Sequence, residues 1–522
     1  MNKKNFVFVP LIAFCTSLQG QMIAPNTQGY YVEALADAME TQTGGSARVQ
    51  GIAGVQTALG ADLGALSSNP AGLGLYRKSE VGGSLGLSLS HTSSTLYGNT
   101  IVELKPHVNV SNLGIAICFL RDDLVSTKWR GGTLAFGMNT LQSYQNRFSY
   151  DGVNQQNSFI NSLEEKAYGT DPSVYDNEYS NNNISSLPSL GYSAYLISYD
   201  NSYNPPYISY IPPDKIMEQK STVNTSGAVR SWSVGYGGNY NDRFFFGGSL
   251  NVLGLSRKIE QTYTEVLLNA GSGNNYLTNF TFADAKQVNG TGVNLTVGAI
   301  YKFTDVFRMG ASIKTPDYYG IRETYNASIN ANYNNIELSY QDGTPYYLNN
   351  ASATLTTTKF KYQLYSPMKA NLGMSFFMGK LGFFSLDFQY INYKGMFLTS
   401  GSTNYLSGDN TTIKNVYRDV ITTRAGLEIR ADIVRLRAGI GYLPSPYNTN
   451  VDDRIKRVVS DATLLYSTGI GIKLKAMSLD LSYTLTQYSS NYSPYTLNNA
   501  QQPLVQTNNS ISNVVLSFSG NF

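Results

Sequence analysis

NVVLSFSGNF, residues 513–522, is the stretch whose reading decides the fold. Val514, Leu516, Phe518, Gly520 and Phe522 share one parity; Asn513, Val515, Ser517, Ser519 and Asn521 share the other. Strict alternation is the period of a β-strand, and an apolar face opposite a polar one suits a strand between lipid and a wet lumen. An alternating strand can also end a soluble sandwich. The rest of the chain has to decide between the two.

Composition favours the membrane. Charged residues are 14% of the 522, well under the usual quarter. Hydrophobic residues reach 42% and the mean hydropathy is −0.21. After the first twenty residues no apolar run is long enough to span as a helix, which excludes a helical membrane protein. The 40 tyrosines and 48 glycines suit interfacial girdles and the turns and crossings of strands. A net charge of +3 carries no argument for nucleic acid.

At the N-terminus, Lys3 and Lys4 precede the apolar run Phe6–Cys15, and small or polar residues follow to Gly20. Residues 1–20 read as a secretory signal peptide. Phe14 is too large for lipoprotein processing at Cys15. Cleavage near Gly20 leaves Cys118 as the single cysteine, so no intramolecular disulfide is expected.

Residues 21–78 differ from everything after them. YVEALADAME (31–40) reads as a short amphipathic helix, and the Gly/Ala-rich run that follows has helical spacing through Val55, Leu59, Leu63 and Leu66. So weakly hydrophobic a segment is too small to fold alone and makes sense packed inside something. The turn Asn69-Pro70-Ala71-Gly72 ends it: Pro fixes φ, Gly permits a tight exit, and Asn can bond nearby backbone.

The run Gly-Ser-Ala-Arg … Ala-Leu-Gly-Ala-Asp … Asn-Pro-Ala-Gly-Leu, residues 45–73, resembles the N-terminal hatch of the FadL/TodX family, Bacteroidetes members included. GTGVNLTVGAIYKF, MGASIKTP, YSPMKANLG and TTRAGLEIR with LRAGIGYLPSPY resemble later strands of that family. The resemblance implies a 14-stranded antiparallel transmembrane β-barrel in the outer membrane of a Gram-negative bacterium, with a partly helical hatch inside its lumen. The terminal strand, with Phe518 and Phe522, also resembles the signal read by the barrel-assembly machinery of outer membranes. Phe522 then closes the barrel against the first strand.

The residues support the count. Alternating segments recur at 79–91, 107–121, 129–149, 218–239, 244–264, 286–302, 307–330, 351–377, 383–396, 412–430, 435–443, 460–474, 479–489 and 510–522. Six connections are short, as at Asn241-Asp242, Thr304-Asp305 and Ala431-Asp432, and the other seven are longer. Short turns at one end and long loops at the other is the asymmetry of such barrels. Within strands the phase holds: Val293, Leu295 and Val297 face out, Asn294 and Thr296 in; Leu479, Leu481 and Tyr483 face out, Asp480 and Ser482 in. The chain therefore divides into the signal peptide, a hatch at 21–78 and a barrel at 79–522.

A barrel of this size is too wide to be filled by side chains and needs a plug. Phase aims Asp387, Arg424, Glu428, Arg430, Arg435, Arg437 and Lys473 into the lumen, since an Arg facing lipid would cost about 2–4 kcal/mol at the midplane. They can pair with one another and anchor the hatch, or meet an anionic head group. The longest loop, about 150–217, holds two amphipathic helices, one with Phe159, Ile160 and Leu163 on a face, the other with Leu187 and Leu190. They form either an external apolar groove or a lid that buries its own face.

No enzyme is expected. Gly82-Gly83-Ser84-Leu85-Gly86 fits the nucleophile-elbow pattern but lies in a strand with no helix after it. The only histidines are His91 and His107, near the first external loop, and neither metal-ligand spacing nor a cofactor or phosphate loop is present. The resemblance implies a monomeric conduit, embedded in outer-membrane lipid, for hydrophobic small molecules of the long-chain fatty acid or aromatic hydrocarbon class. In the family, ligand passes from an outer groove to a pocket beside the hatch, then sideways through the wall. The rival is a docking barrel that binds secreted proteins through its loops, as a FadL-like component of type IX secretion does.

Overall fold

The structure, a computed structural model, describes residues 29–40, 44–121, 127–212, 214–269, 275–339, 343–401, 405–498 and 502–522. The expected signal peptide at 1–20, and residues 21–28 and 41–43 of the expected hatch, lie outside these ranges. Fourteen antiparallel strands close into one barrel. They are β1 (Glu80–Leu96), β2 (Asn99–Leu120), β3 (Trp129–Ser143, continued by Asn146–Asn154), β4 (Met217–Tyr240), β5 (Phe244–Leu267), β6 (Tyr276–Lys302) and β7 (Phe307–Lys314, continued by Tyr318–Ser339). Then come β8 (Pro345–Thr354, Thr358–Tyr365 and Lys369–Phe377), β9 (Gly382–Ile391 and Phe397–Thr399), β10 (Val420–Ala431), β11 (Val434–Leu443), β12 (Thr463–Lys473), β13 (Met477–Tyr492) and β14 (Val505–Asn521).

Each strand pairs with its neighbours in sequence, and β14 closes on β1 in a register running from Glu80 opposite Asn521 to Thr95 opposite Gln506. The Phe522 N–H donates to the Ser79 carbonyl at 3.0 Å, so the last residue sits on the closing seam. Closure pairs the last strand with the first, as a sheet that crosses a bilayer requires.

Two-residue alternation makes the outer belt. Val297 is 57% exposed while Thr296 beside it is fully buried, and Leu481 and Ser482 divide the same way. Val514, Leu516 and Phe518 face out and Val515 faces in. Among the described residues no helix is long and apolar enough to cross a membrane; the strands do the crossing. The side chains cover the wall with apolar groups and put polar ones inside.

Three expected elements are corrected. Strands β1 and β2 do not stop at 91 and 107. They run on to a two-residue turn at Tyr97-Gly98, both with positive φ, so the first external connection is a tight hairpin and both histidines lie within strands. The tenth strand begins at Val420, because residues 407–416 form a helix whose Ile413 and Val416 are buried in the lumen's apolar cluster. The helical spacing over 55–66 does not make a helix. Ala53, Gly54, Gly60 and Ala61 have positive φ, which breaks the segment into short pieces.

Among the described residues there are six α-helices: α1 (Tyr30–Ala38) and α2 (Ala47–Gln50) before the barrel, α3 (Phe159–Ala167), α4 (Pro172–Ser180) and α5 (Leu187–Ser193) in the long loop, and α6 (Ser407–Val416) after β9. Two short 3₁₀ helices, Leu63–Leu66 and Pro70–Leu75, complete the N-terminal segment.

Candidate functional site: the plugged lumen

The segment before β1 lies inside the barrel, and the wall is built to receive it. Asn69 caps the second 3₁₀ helix: its Oδ1 accepts from Ala71 N at 3.2 Å, while Nδ2 donates to the Thr57 carbonyl at 2.7 Å and the Ala299 carbonyl of β6 at 3.3 Å. Pro70 stands at the first helical position, where its missing N–H costs nothing. Asn69, Pro70, Ala71 and Gly72 are all buried. Where the segment touches the wall, the wall is glycine. A Cβ at Gly247 would lie 2.4 Å from the Pro70 carbonyl oxygen, at Gly310 2.2 Å from that of Thr57, and at Gly439 2.5 Å from the Ile52 carbonyl carbon. Backbone meets backbone there, which only glycine allows.

The inward charges divide by role. Asp387 on β9 accepts from Gln56 N (2.8 Å), Thr57 N (2.9 Å) and Thr57 Oγ1 (2.8 Å), so one carboxylate oxygen clasps the plug. Glu428 pairs with Arg430 and Arg437, each at 2.8 Å, and Arg437 reaches Asp480 at 2.6 Å. Arg435 donates to backbone carbonyls of Asp432 and Val434. With Lys473 these groups line a cavity of about 500 Å³ at the inner mouth, which Arg48 and Asp62 of the plug also line. Arg424 lines a second, smaller cavity of about 120 Å³ beside Glu40, Lys314, Lys369 and Asp387.

Sequence reasoning missed the charges that hold α1. Glu33 pairs with Arg257 of β5 and Lys286 of β6, each at 2.5 Å, and Asp37 pairs with Arg257 at 2.8 Å. Glu40 adds Lys369 at 2.7 Å. All of these but Glu40 are buried. The signal was present: Glu33 and Asp37 stand at i and i+4, and Arg257 and Lys286 fall at inward parity. A single-strand reading cannot pair them across the bore. From α6, the Asp409 carboxylate accepts from Tyr31 N at 3.0 Å; burial pushes its pKa up, and the Tyr31 and Tyr30 amides pull it back.

Around α1 the lumen is apolar and aromatic. Tyr30, Tyr31 and Leu35 of the helix pack with Tyr144, Tyr319, Phe360, Tyr362 and Tyr417 of the wall and α6. Above it the long loop forms a lid. Phe159, Ile160, Leu163, Leu187 and Leu190 are at most 5% exposed and pack on Phe280, Phe282, Tyr325 and Ile329 of β6 and β7. The expected external groove is therefore not an open surface: the barrel's own upper wall satisfies the amphipathic faces.

One seam of the wall is incomplete. β2 pairs with β3 only from Asn112–Asn139 to Leu120–Gly131. Beyond that, β3 turns at Tyr144-Gln145 and its second piece pairs with β4 alone. A bulge at Leu141 of β3 precedes the bend, and the carbonyl of Gly227 (φ 114°) on β4 accepts from Tyr144 N at 3.0 Å. Among the described residues, side-chain bonds span the gap: Lys105 Nζ donates to the Thr225 carbonyl at 2.6 Å, and Ser149 Oγ to Glu103 at 2.7 Å.

A closed fourteen-strand barrel with an apolar belt, a lumenal plug and an outer lid has the architecture of an outer-membrane β-barrel. Its fold is similar to that of a FadL homologue of Pseudomonas aeruginosa, with a TM-score of 0.53 and 12% identity over 92% of this chain and 99% of that one. The Pseudomonas putida toluene transporter TodX (TM-score 0.49, 14% identity, 93% and 100% covered) and the Ralstonia pickettii toluene transporter TbuX (0.46, 15%, 92% and 99%) also match. No family model matches the sequence, and no curated protein matches it.

Proposed function

We propose that the protein carries hydrophobic small molecules, of the long-chain fatty acid or aromatic hydrocarbon class, passively across the outer membrane under control of its hatch. The observation that carries this reading is the juxtaposition of a buried, tyrosine-rich lumenal cluster with the unpaired β2–β3 seam. Tyr144 belongs to both: its ring packs in the cluster around α1 and its backbone lies at the bend of β3. A ligand that displaces apolar contacts around α1 reaches a wall closed there by side chains, which separate at far smaller cost than a backbone ladder. Residues 69–72 and Asp387 then hold the lower plug against leakage while the upper part moves.

The likeness in fold to a FadL homologue supports the class of cargo. Burial of the loop's apolar residues leaves these side chains neither as an exposed landing groove for ligand nor as an apolar surface for a docked protein. Mass spectrometry of a lipid extract from the purified protein tests the reading, together with uptake of labelled oleate and toluene by proteoliposomes. We expect an apolar ligand near one per barrel and uptake above protein-free vesicles. Neither ligand nor uptake would reject it.

A further inference from the structure

On the outer face of β7 and β8 two cations stand where two should not. Arg322 and Lys361 are directly opposed across the antiparallel pair, and Lys359 lies one outward step further on, opposite Thr324. All three are exposed on the lipid-facing parity. Like charges at opposed positions destabilise a sheet. Among the described residues no ion pair reaches them, and the neighbouring Glu323 is buried on the other face. Lys258, two strands away, differs: Glu260 neutralises it at 2.6 Å.

The position along the barrel is specific. Tyr318 and Tyr365 are opposed partners with ring centroids 5.1 Å apart, and Phe397 lies 6.1 Å from Tyr365. Exposed aromatic rings in a row mark the membrane interface. Arg322 and Lys361 follow four residues outward, which on tilted strands is roughly 10 Å along the membrane normal. That is head-group depth in the outer leaflet.

The surface is also hollowed. A cavity of about 540 Å³ is lined by Asn289, Thr291, Gly320, Arg322, Lys361 and Gln363. Gly320 stands on the outward parity between Tyr318 and Arg322, and a Cβ there would meet nothing within 4 Å. An unneutralised cation pair, amide and hydroxyl groups and a notch above an aromatic row together define an anionic, hydrogen-bonding ligand with an apolar tail.

We propose that this notch binds a phosphorylated glycolipid of the outer leaflet. Its phosphate bridges Arg322 and Lys361, its sugar lies on Asn289 and Gln363, and its acyl chains descend along Tyr318, Tyr365 and Phe397. Phosphate offers the guanidinium paired acceptors and relieves the repulsion between the two strands. This site faces lipid, not lumen, and stands apart from the transport reading.

Native mass spectrometry of the detergent-purified protein, titrated with bis-phosphorylated lipid A, tests it. We expect a saturable one-to-one adduct. It should weaken about tenfold or more when the lipid A is dephosphorylated, and by as much in Arg322→Gln/Lys361→Gln, but not in Lys258→Gln. Millimolar inorganic phosphate should leave the adduct in place. Equal binding of the dephosphorylated lipid by the unaltered protein would overturn the proposal, whatever the variants do. So would unchanged binding by the folded double variant, or displacement by millimolar inorganic phosphate, which would mark a site for the free anion.

Discussion

Asn69 concentrates the plug's lower contacts in one side chain. It caps a 3₁₀ helix, ties two turns of the plug together and reaches the wall at Ala299. Asn69→Ala removes these bonds at about 0.5–1.5 kcal/mol each, too little to unfold a barrel held by fourteen strands. We expect normal assembly, judged by heat-modifiable migration, with impaired uptake of labelled oleate. A second residue-scale test concerns phase. Leu481→Lys puts a charge on the lipid face, at about 2–4 kcal/mol if near the midplane. Ser478→Lys, three residues away, enters the inner cavity of about 500 Å³. Folded yield should fall for the first and hold for the second.

At the scale of elements, α1 is latched by charge. Arg257 neutralises both Glu33 and Asp37 inside the barrel, and breaking a buried pair from one side typically costs about 3–5 kcal/mol. Arg257→Ala should therefore raise amide exchange across residues 30–38 while β1 and β14 stay protected. The lid is held by burial instead. Phe159 stacks on Phe282 at 5.1 Å, and Phe159→Ala should loosen α3 to α5 by about 3–5 kcal/mol, visible as faster proteolysis of residues 155–216 with the barrel intact. These two elements also mark where sequence reasoning ran out. Strands were legible wherever lipid lies outside and polar groups inside, because that contrast writes period two into the chain. Above the belt both faces are polar, so Thr92 to Thr95 carry no alternation and the β1–β2 hairpin was cut short. The Thr-Thr-Ile run at 411–413 has strand composition, yet α6 forms because Ile413 and Val416 find α1 to pack on. Amphipathicity showed that Phe159 and Leu190 need cover. It could not show that the barrel's own rim supplies it.

The whole molecule is a barrel too wide to fill itself, with a plug that fits backbone to backbone against glycines of the wall. The fold was legible because its repeating unit is local. The site was legible only in part, because Asp387, Arg437 and Asn69 act through partners far away in sequence. Deleting residues 21–78 should leave fourteen strands able to pair and open the bore, seen as large, steady conductance in planar bilayers; a silent barrel would show that the plug is not what closes it. The central claim is that this plug must move for a hydrophobic molecule to pass. Gly51 and Gly469 offer a tether, since a Cβ on either would lie 3.3 Å from the Cα of the other, which puts plug and wall in direct contact there. In a Cys118→Ser background, uptake of labelled oleate by Gly51→Cys/Gly469→Cys is measured oxidised and then reduced. The account predicts uptake abolished by the disulfide and restored on reduction. Equal uptake in both states would contradict it.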